Sequence, residues 1–348
     1  MPPSAQQGAC VDIRQDLAAA IGHTPLLRLR RASELTGCEI LAKAEFMNPA
    51  GSIKDRTALG LLLDAERRGW IGPGGAIVEG TAGNTGIGLA MLGLSRGYRT
   101  IIAMPDSQSR EKVDALQLAG AEVHRVPVVA YGDPNHYSHV ARRIADELDA
   151  RSPGSAWFAN QFDCTANREI HAATTAVEIW QQTSGRLHGF VCAAGTGGTL
   201  GGVARALKAQ RADIRIALAD PAGSALAHYV NHGELKAEGS SITEGIGYSR
   251  ITANFEGTPI DHAWSIPDTE SVPYVHALLA EEGYNVGGSS GVNVAGAVRL
   301  ARELGPGHLV VTVLADAGTR YQSKLFNPAF LRSKDLPVPA WLDRAFSA

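Results

Sequence analysis

Short β-branched runs alternate along this chain with stretches in which apolar residues return every three or four positions. Glu39–Ala44, Ala76–Glu79, Thr100–Met104, Glu122–Val126, Gly189–Ala193, Ile214–Asp220 and Leu309–Leu314 read as strands. Between them, Thr57–Arg68, Gly86–Arg96, Ser109–Ala119, His139–Leu148, Ala166–Gln182 and Leu200–Gln210 read as helices. That order predicts an α/β protein with mostly parallel sheets, which bind ligands in the crevice at the C-terminal ends of their strands. From about Tyr321 the pattern fades, and with Pro328, Pro337 and Pro339 the remainder reads as an extension lying over the surface.

Length and composition narrow the picture. A chain of 348 residues is long enough for two lobes, because single cores seldom grow beyond roughly 250–300 residues. A boundary falls near residue 160, and one lobe is expected to be discontinuous because parallel sheets recruit distant strands. Hydrophobic residues at 45% and charged residues at 19% are close to ordinary usage and exclude a disordered or fibrous protein. A net charge of −3 without a run of five like charges gives no nucleic-acid or membrane footprint, so small molecules are the expected partners. The cysteines at 10, 38, 164 and 192 form no CxxC pair, which fits a reduced compartment. Met1 to Ala20 has no apolar core behind a basic start, and no window approaches 18 apolar residues, so a cytoplasmic location is expected.

The 39 glycines concentrate at strand-to-helix junctions, where exposed N–H groups can hold anions. Glu79-Gly80-Thr81-Ala82-Gly83-Asn84-Thr85-Gly86 is one such junction, suited to a carboxylate or phosphate. Gly195-Thr196-Gly197-Gly198-Thr199 adds two hydroxyls to successive amides and resembles a phosphate cradle. It is neither a Walker loop, since no Lys-Ser or Lys-Thr follows, nor an intact dinucleotide fingerprint, since Leu200 stands where the third glycine would fall. Gly287-Gly288-Ser289-Ser290-Gly291 precedes a helix of small residues, Val294–Arg302, and Glu244-Gly245-Ile246-Gly247 is a smaller cluster.

The candidate reactive group is Lys54, in Asn48-Pro49-Ala50-Gly51-Ser52-Ile53-Lys54-Asp55-Arg56. Ala58, Leu59, Leu62, Leu63 and Ala65 mark the helix behind it, and Arg67, Arg68 and Gly69 close it. Ser52 with Asp55 resembles a capping box. At such a helix start the dipole disfavours a second positive charge and lowers the amine pKa, favouring the neutral form that attacks carbonyl groups.

Together these motifs resemble the β family, fold type II, of pyridoxal-phosphate enzymes, and most closely the cysteine synthase and cystathionine β-synthase group. The match runs from Ile21-Gly22-His23-Thr24-Pro25-Leu26 to about Thr319, with the motifs in the family's order. The resemblance implies two lobes, each a mostly parallel twisted sheet flanked by helices. The smaller, mobile, substrate-binding lobe spans 50–160, the larger cofactor-binding lobe spans 1–49 plus 161–320, and a C-terminal extension spans 321–348. It implies that Lys54 is catalytic and binds pyridoxal 5′-phosphate covalently, that Asn84 bonds its 3′ oxygen, and that Gly195, Thr196, Gly197, Gly198 and Thr199 hold its phosphate. Ser289 would face the ring nitrogen. Thr81, Gly83, Asn84 and Thr85 would receive the substrate carboxylate, with Gln161 beside them and Gly245 approaching the substrate. No metal is implied.

The implied reaction is β-replacement: an activated serine such as O-acetyl-L-serine loses acetate through an aminoacrylate, and sulfide or a similar nucleophile adds to give cysteine or an analogue. Cystathionine synthesis, cysteine desulfhydration, and a cofactor-bearing regulatory or scaffold role are the alternatives. A homodimer is expected by resemblance.

Some positions depart from the family or stand apart. Ala82 occupies the place of a serine in the family's Thr-Ser-Gly-Asn-Thr-Gly loop, which puts donor choice in question. Tyr248, Ser249 and Arg250 stand where relatives often have small residues; Arg250 reads either as a recognition group for an acidic acceptor or as a surface arginine. His136-Tyr137-Ser138-His139 reads as a surface loop rather than a metal pair, Cys192 as packing, and Asp316 has no assigned role.

Overall fold

The computed structural model describes residues 13–81 and 83–345. Ala82, singled out above, and Cys10 lie outside the described residues. Two sheets organise the chain. The larger contains Leu26–Arg28 (β1), Glu39–Ala44 (β2), Gly189–Cys192 (β7), Arg215–Pro221 (β8), His262–Ile266 (β9) and Leu309–Leu314 (β10). The smaller contains Ala76–Gly80 (β3), Arg99–Pro105 (β4), Glu122–Val126 (β5) and Ala156–Phe158 (β6).

In the larger sheet the order is β1-β2-β10-β7-β8-β9, and in the smaller it is β5-β4-β3-β6. Every pairing is parallel except β1 with β2. β10 registers on β2, with Val310 opposite Ile40 and Thr312 opposite Ala42, so segments 270 residues apart in sequence share one sheet. The central strands β3, β7 and β10 are buried at every position, as strands covered by helices on both faces must be. All three end toward the glycine clusters.

The seven strands expected from sequence are all present. β1 and β6 have three residues each, too few for a periodic signal, and β9 carries polar His262 and Ser265 among its five; all three emerge only through pairing. Helices begin earlier than apolar periodicity indicates: Lys54–Arg68 instead of at Thr57, Asn84–Arg96 instead of at Gly86, Gly198–Gln210 instead of at Leu200, and Gly288–Leu304 instead of at Val294. Apart from Val292, the extra residues are small or polar, and they lie at the helix starts beside the cleft. The expected helix 166–182 carries a π turn at His171–Thr175. Arg30–Thr36 and Asp268–Glu282, the latter with Pro273 in its second turn, are further helices.

The C-terminal segment is more than a surface strap. Tyr321, Leu325, Phe326, Leu331, Leu336 and Leu342 are buried against Val272 and Val275 of the Asp268–Glu282 helix. Among the described residues no helix is long and apolar enough to cross a membrane.

Candidate active site

The helix bearing Lys54 is anchored by buried charge. Arg56, 1% exposed, donates from Nε to Glu45 at 2.8 Å and from Nη1 to Glu178 at 2.6 Å, and Lys43 donates to Glu178 at 2.5 Å. Burial opposes charge on Glu178, but Arg56 and Lys43 hold its pKa down to about 2. Thr24 donates to Glu45 at 2.7 Å, and Gly22 N–H donates to Asn48 Oδ1 at 2.8 Å. These bonds tie the Ile21–Leu26 motif to the lysine segment.

The helix start differs from a capping box. Asp55 Oδ2 accepts from Ala50 N–H at 2.6 Å, while the Ser52 hydroxyl oxygen accepts from Lys54 N–H at 3.2 Å. The acid therefore closes the Gly51 bend behind the lysine, with burial raising its pKa to about 7.

Lys54 is half-buried and lines a cleft of about 160 Å³. Burial lowers its pKa, while the Asp316 carboxylate pulls the other way. The depressed amine pKa expected from the helix dipole thus has desolvation as its main cause. Burial also pushes the Cys192 thiol up to about 12, leaving a neutral packing group.

The cleft gathers most of the expected residues. Thr81, Gly83, Asn84 and Thr85 follow β3; Gln161 lies beyond β6; Gly195 and Thr196 follow β7; Gly245 and Ser289 come from the far side. A deeper cavity continues past Gly197 and Thr199, with Lys54 and Ser289 shared between the two spaces. Gly198 lines neither. Its Cα packs on Asn167, where an added Cβ would stand 2.2 Å from the side-chain oxygen.

This cradle requires glycine in two ways. Gly197 has φ +83°, and a Cβ there would meet Phe255 at 2.6 Å; a Cβ on Gly195 would meet the Gly245 carbonyl at 2.4 Å. The Gly198–Gln210 helix points its first turn at the cavity, and the leading N–H groups of a helix have no intrahelical acceptors.

Other residues that motif reading missed hold these parts in place. Asn167 donates to Thr196 Oγ1 at 2.9 Å and to the Gln161 carbonyl at 2.8 Å, while its oxygen accepts from Thr57 at 2.9 Å. His171, kept neutral chiefly by burial, lies 3.3 Å from both Thr57 and Thr199 hydroxyls. Gln161 Oε1 accepts from the Thr85 hydroxyl at 2.5 Å, and its Nε2 donates to the Gly80 carbonyl at 2.9 Å. Asn167 and His171 are isolated polar residues on the helical stretch 166–182, so no local pattern announces them, whereas Gln161 was already a motif residue.

Two alternatives for Arg250 give way to a third. Its guanidinium makes a two-pronged pair with Asp163 at 3.0 and 2.9 Å and sits among the rings of Tyr131, Tyr248 and Phe162. Its charge is spent on Asp163, and Arg250 does not line the cleft; Tyr248, which it supports, does. His136 and His139 belong to the start of the Tyr137–Arg151 helix instead of a surface loop: buried His136 accepts from Ser138 N–H at 3.3 Å, and His139 meets the Tyr131 carbonyl at 2.7 Å. Among the described residues no cluster of three metal-ligating side chains occurs.

The cleft therefore combines an amine of lowered pKa, a glycine-built cradle at a helix start, and a second amide-rich turn, all at the C-terminal ends of parallel strands. That donor set fits pyridoxal phosphate: an amine for the aldehyde, amides and hydroxyls for the phosphate, and an amide and a hydroxyl for the ring. Fold and site define the class of fold type II pyridoxal-phosphate enzymes.

Residues 17–316 match the family described as "Pyridoxal-phosphate dependent enzyme", and the chain belongs to it, in the cysteine synthase and cystathionine β-synthase group. It is 50% identical over 336 residues to "Cysteine synthase 1" of Emericella nidulans, covering 94% of this chain and 89% of that protein. It is 39% identical to "Cystathionine beta-synthase" of Oryctolagus cuniculus, covering 94% of this chain and 61% of that protein. The crystal structure of an O-ureido-L-serine synthase superimposes with a TM-score of 0.81 at 34% identity, covering 95% of this chain and 99% of that one.

Proposed function

We propose that this enzyme carries out β-replacement on an activated L-serine, O-acetyl-L-serine or an analogue, with sulfide or a similar small nucleophile, giving L-cysteine or an analogue. The supporting observation is the meeting of Lys54, the Asn84 turn and the Thr196 cradle in one cleft, in a chain half identical to a protein named cysteine synthase. Bound pyridoxal phosphate supplies the electron sink that acidifies the substrate's α-proton.

In this reading, Lys54 is the residue that would hold the cofactor, and its amine is the base that would take the substrate's Cα proton and give it back. Its depressed pKa keeps the amine able to accept that proton. Gly195, Thr196, Gly197, Gly198 and Thr199 bind the phosphate, Gly198 by backbone alone. Asn84 donates to the 3′ oxygen. Ser289, which carries no negative charge, would stand at the ring nitrogen as a hydroxyl partner rather than an anionic one, chemistry suited to loss of the β-substituent more than to transamination.

Thr81, Gly83, Asn84 and Thr85 hold the substrate carboxylate at a helix start, with Gln161 bracing Thr85. Gly245 borders the amino-acid pocket. Tyr137 and Tyr248 narrow the route of the nucleophile. Residues 50–160 form the mobile lobe, 1–49 with 161–320 the larger one, and 321–348 the extension. The protein works in the cytoplasm as a homodimer.

The test is a matrix of donors against acceptors with product mass spectrometry. O-acetyl-L-serine with sulfide is expected to yield cysteine and acetate with ping-pong kinetics. Cystathionine from serine and homocysteine as the main product would favour the other branch of the group. No spectral response of the cofactor to any donor would favour a non-catalytic role.

A further inference from the structure

The turn after β10 holds a carboxylate that the reading above leaves without a task. Asp316 is 1% exposed, and its Oδ2 accepts from Asn84 Nδ2 at 2.7 Å and from the Tyr321 hydroxyl at 2.5 Å. Its Oδ1 has no hydrogen-bond partner and lies against Gly287, where an added Cβ would come within 2.3 Å. On the opposite edge of the same amide, Arg320 donates from Nη1 to Asn84 Oδ1 at 2.6 Å and from Nη2 to the Ala50 carbonyl.

A side-chain amide has two faces of nearly equal shape, and only its partners decide which way it points. Here a carboxylate, which accepts, stands on one edge and a guanidinium, which can only donate, on the other. One orientation satisfies both. Flipping the amide would set oxygen against oxygen at Asp316 and N–H against N–H at Arg320. The amide nitrogen carries two hydrogens; Asp316 takes one, and the other remains for a ligand in the cleft that Asn84 lines. Both jaws come from one short turn, residues 316–320, and reach Asn84 from more than 230 positions away.

We propose that Asp316 and Arg320 clamp the Asn84 amide in the orientation that donates to the 3′ oxygen of pyridoxal phosphate, which makes Asp316 a positioning residue of the cofactor site. This rests on the assignment of Asn84 to the cofactor made above.

The test compares holoenzyme carrying Asn84→Ala, Asp316→Ala, both together, Asp316→Asn, and Tyr321→Phe. The readouts are the cofactor dissociation constant and the visible absorption of the bound cofactor without substrate. Asn84→Ala and Asp316→Ala are each expected to weaken cofactor binding by about tenfold, as for one lost charge-assisted hydrogen bond. The same absorption shift should appear in both, and the double variant should be no weaker than Asn84→Ala. Asp316→Asn, whose carbonyl can still accept from Asn84, should recover most of the affinity. Tyr321→Phe removes the other donor to Oδ2 and should stay near wild type.

Losses that add in the double variant, or a Tyr321→Phe loss as large as that of Asp316→Ala, would overturn the clamp alone. Unchanged binding and absorption in Asn84→Ala would overturn the assignment of Asn84 and the clamp with it.

Discussion

At the scale of single residues, burial sets the charges that matter. Glu79 is fully buried at the end of β3, and desolvation raises its pKa to about 8 despite N–H donors from Gln161 and Gly80. Unfolded, the same acid ionises near 4.3. The folded state therefore keeps a proton that the unfolded state releases, so this contribution to stability is complete below the unfolded pKa and is lost as pH rises through about 8. Asp55, at about 7, acts in the same direction. The thermal midpoint should decline as pH rises from roughly 5 to 8 and level off above that, and Glu79→Gln should flatten that decline. An equal decline in the variant would refute the assignment. Lys54, Asn84 and Ser289 were legible as motif residues because each stands beside glycines with a marked local pattern. Asp316, Arg320 and Asn167 were not, since their partners lie far along the chain and their own neighbourhoods look like ordinary loops or helices.

At the scale of elements, strand-to-helix junctions do the chemical work, and they are where apolar periodicity reads short. The first turns at Lys54, Asn84, Gly198 and Gly288 lie beside the cleft, and their residues are mostly small or polar. A hydrophobic count starts only where each helix meets the core. Gly197 shows how tight a junction can be. Its φ of +83° and the nearness of Phe255 leave no room for a methyl group. Gly197→Ala should cost at least about 2 kcal/mol from backbone strain and crowding and should weaken cofactor binding more than it lowers kcat in saturated enzyme. Denaturant titration and cofactor titration check this together; a variant with wild-type values in both would show that the turn can relax.

At the scale of the whole molecule, the two sheets are stitched across the cleft by charge. Lys112, on the helix Arg110–Leu118 beside the smaller sheet, is 1% exposed and donates to Glu244 at 2.5 Å. Glu244 also pairs with Lys324 of the C-terminal segment, and the Lys112 ammonium sits 4.7 Å from the Tyr321 ring centre. Glu244→Gln would leave Lys112 buried without its anion. Amide exchange across 109–118 should then quicken, and KM for the amino-acid substrate should rise severalfold with a smaller change in kcat; exchange at the wild-type rate would argue that packing alone holds this helix. Sequence by itself determined the α/β class, seven of the ten strands among the described residues, the candidate lysine and the glycine clusters, because periodicity and glycine placement are local consequences of backbone geometry. Only the tertiary structure decided which strands share a sheet, that burial tunes Lys54, that Arg250 braces Tyr248, and that Asp316 and Arg320 grip Asn84. Those outcomes depend on desolvation and on contacts between residues up to hundreds of positions apart, which exist only once the sheets have assembled.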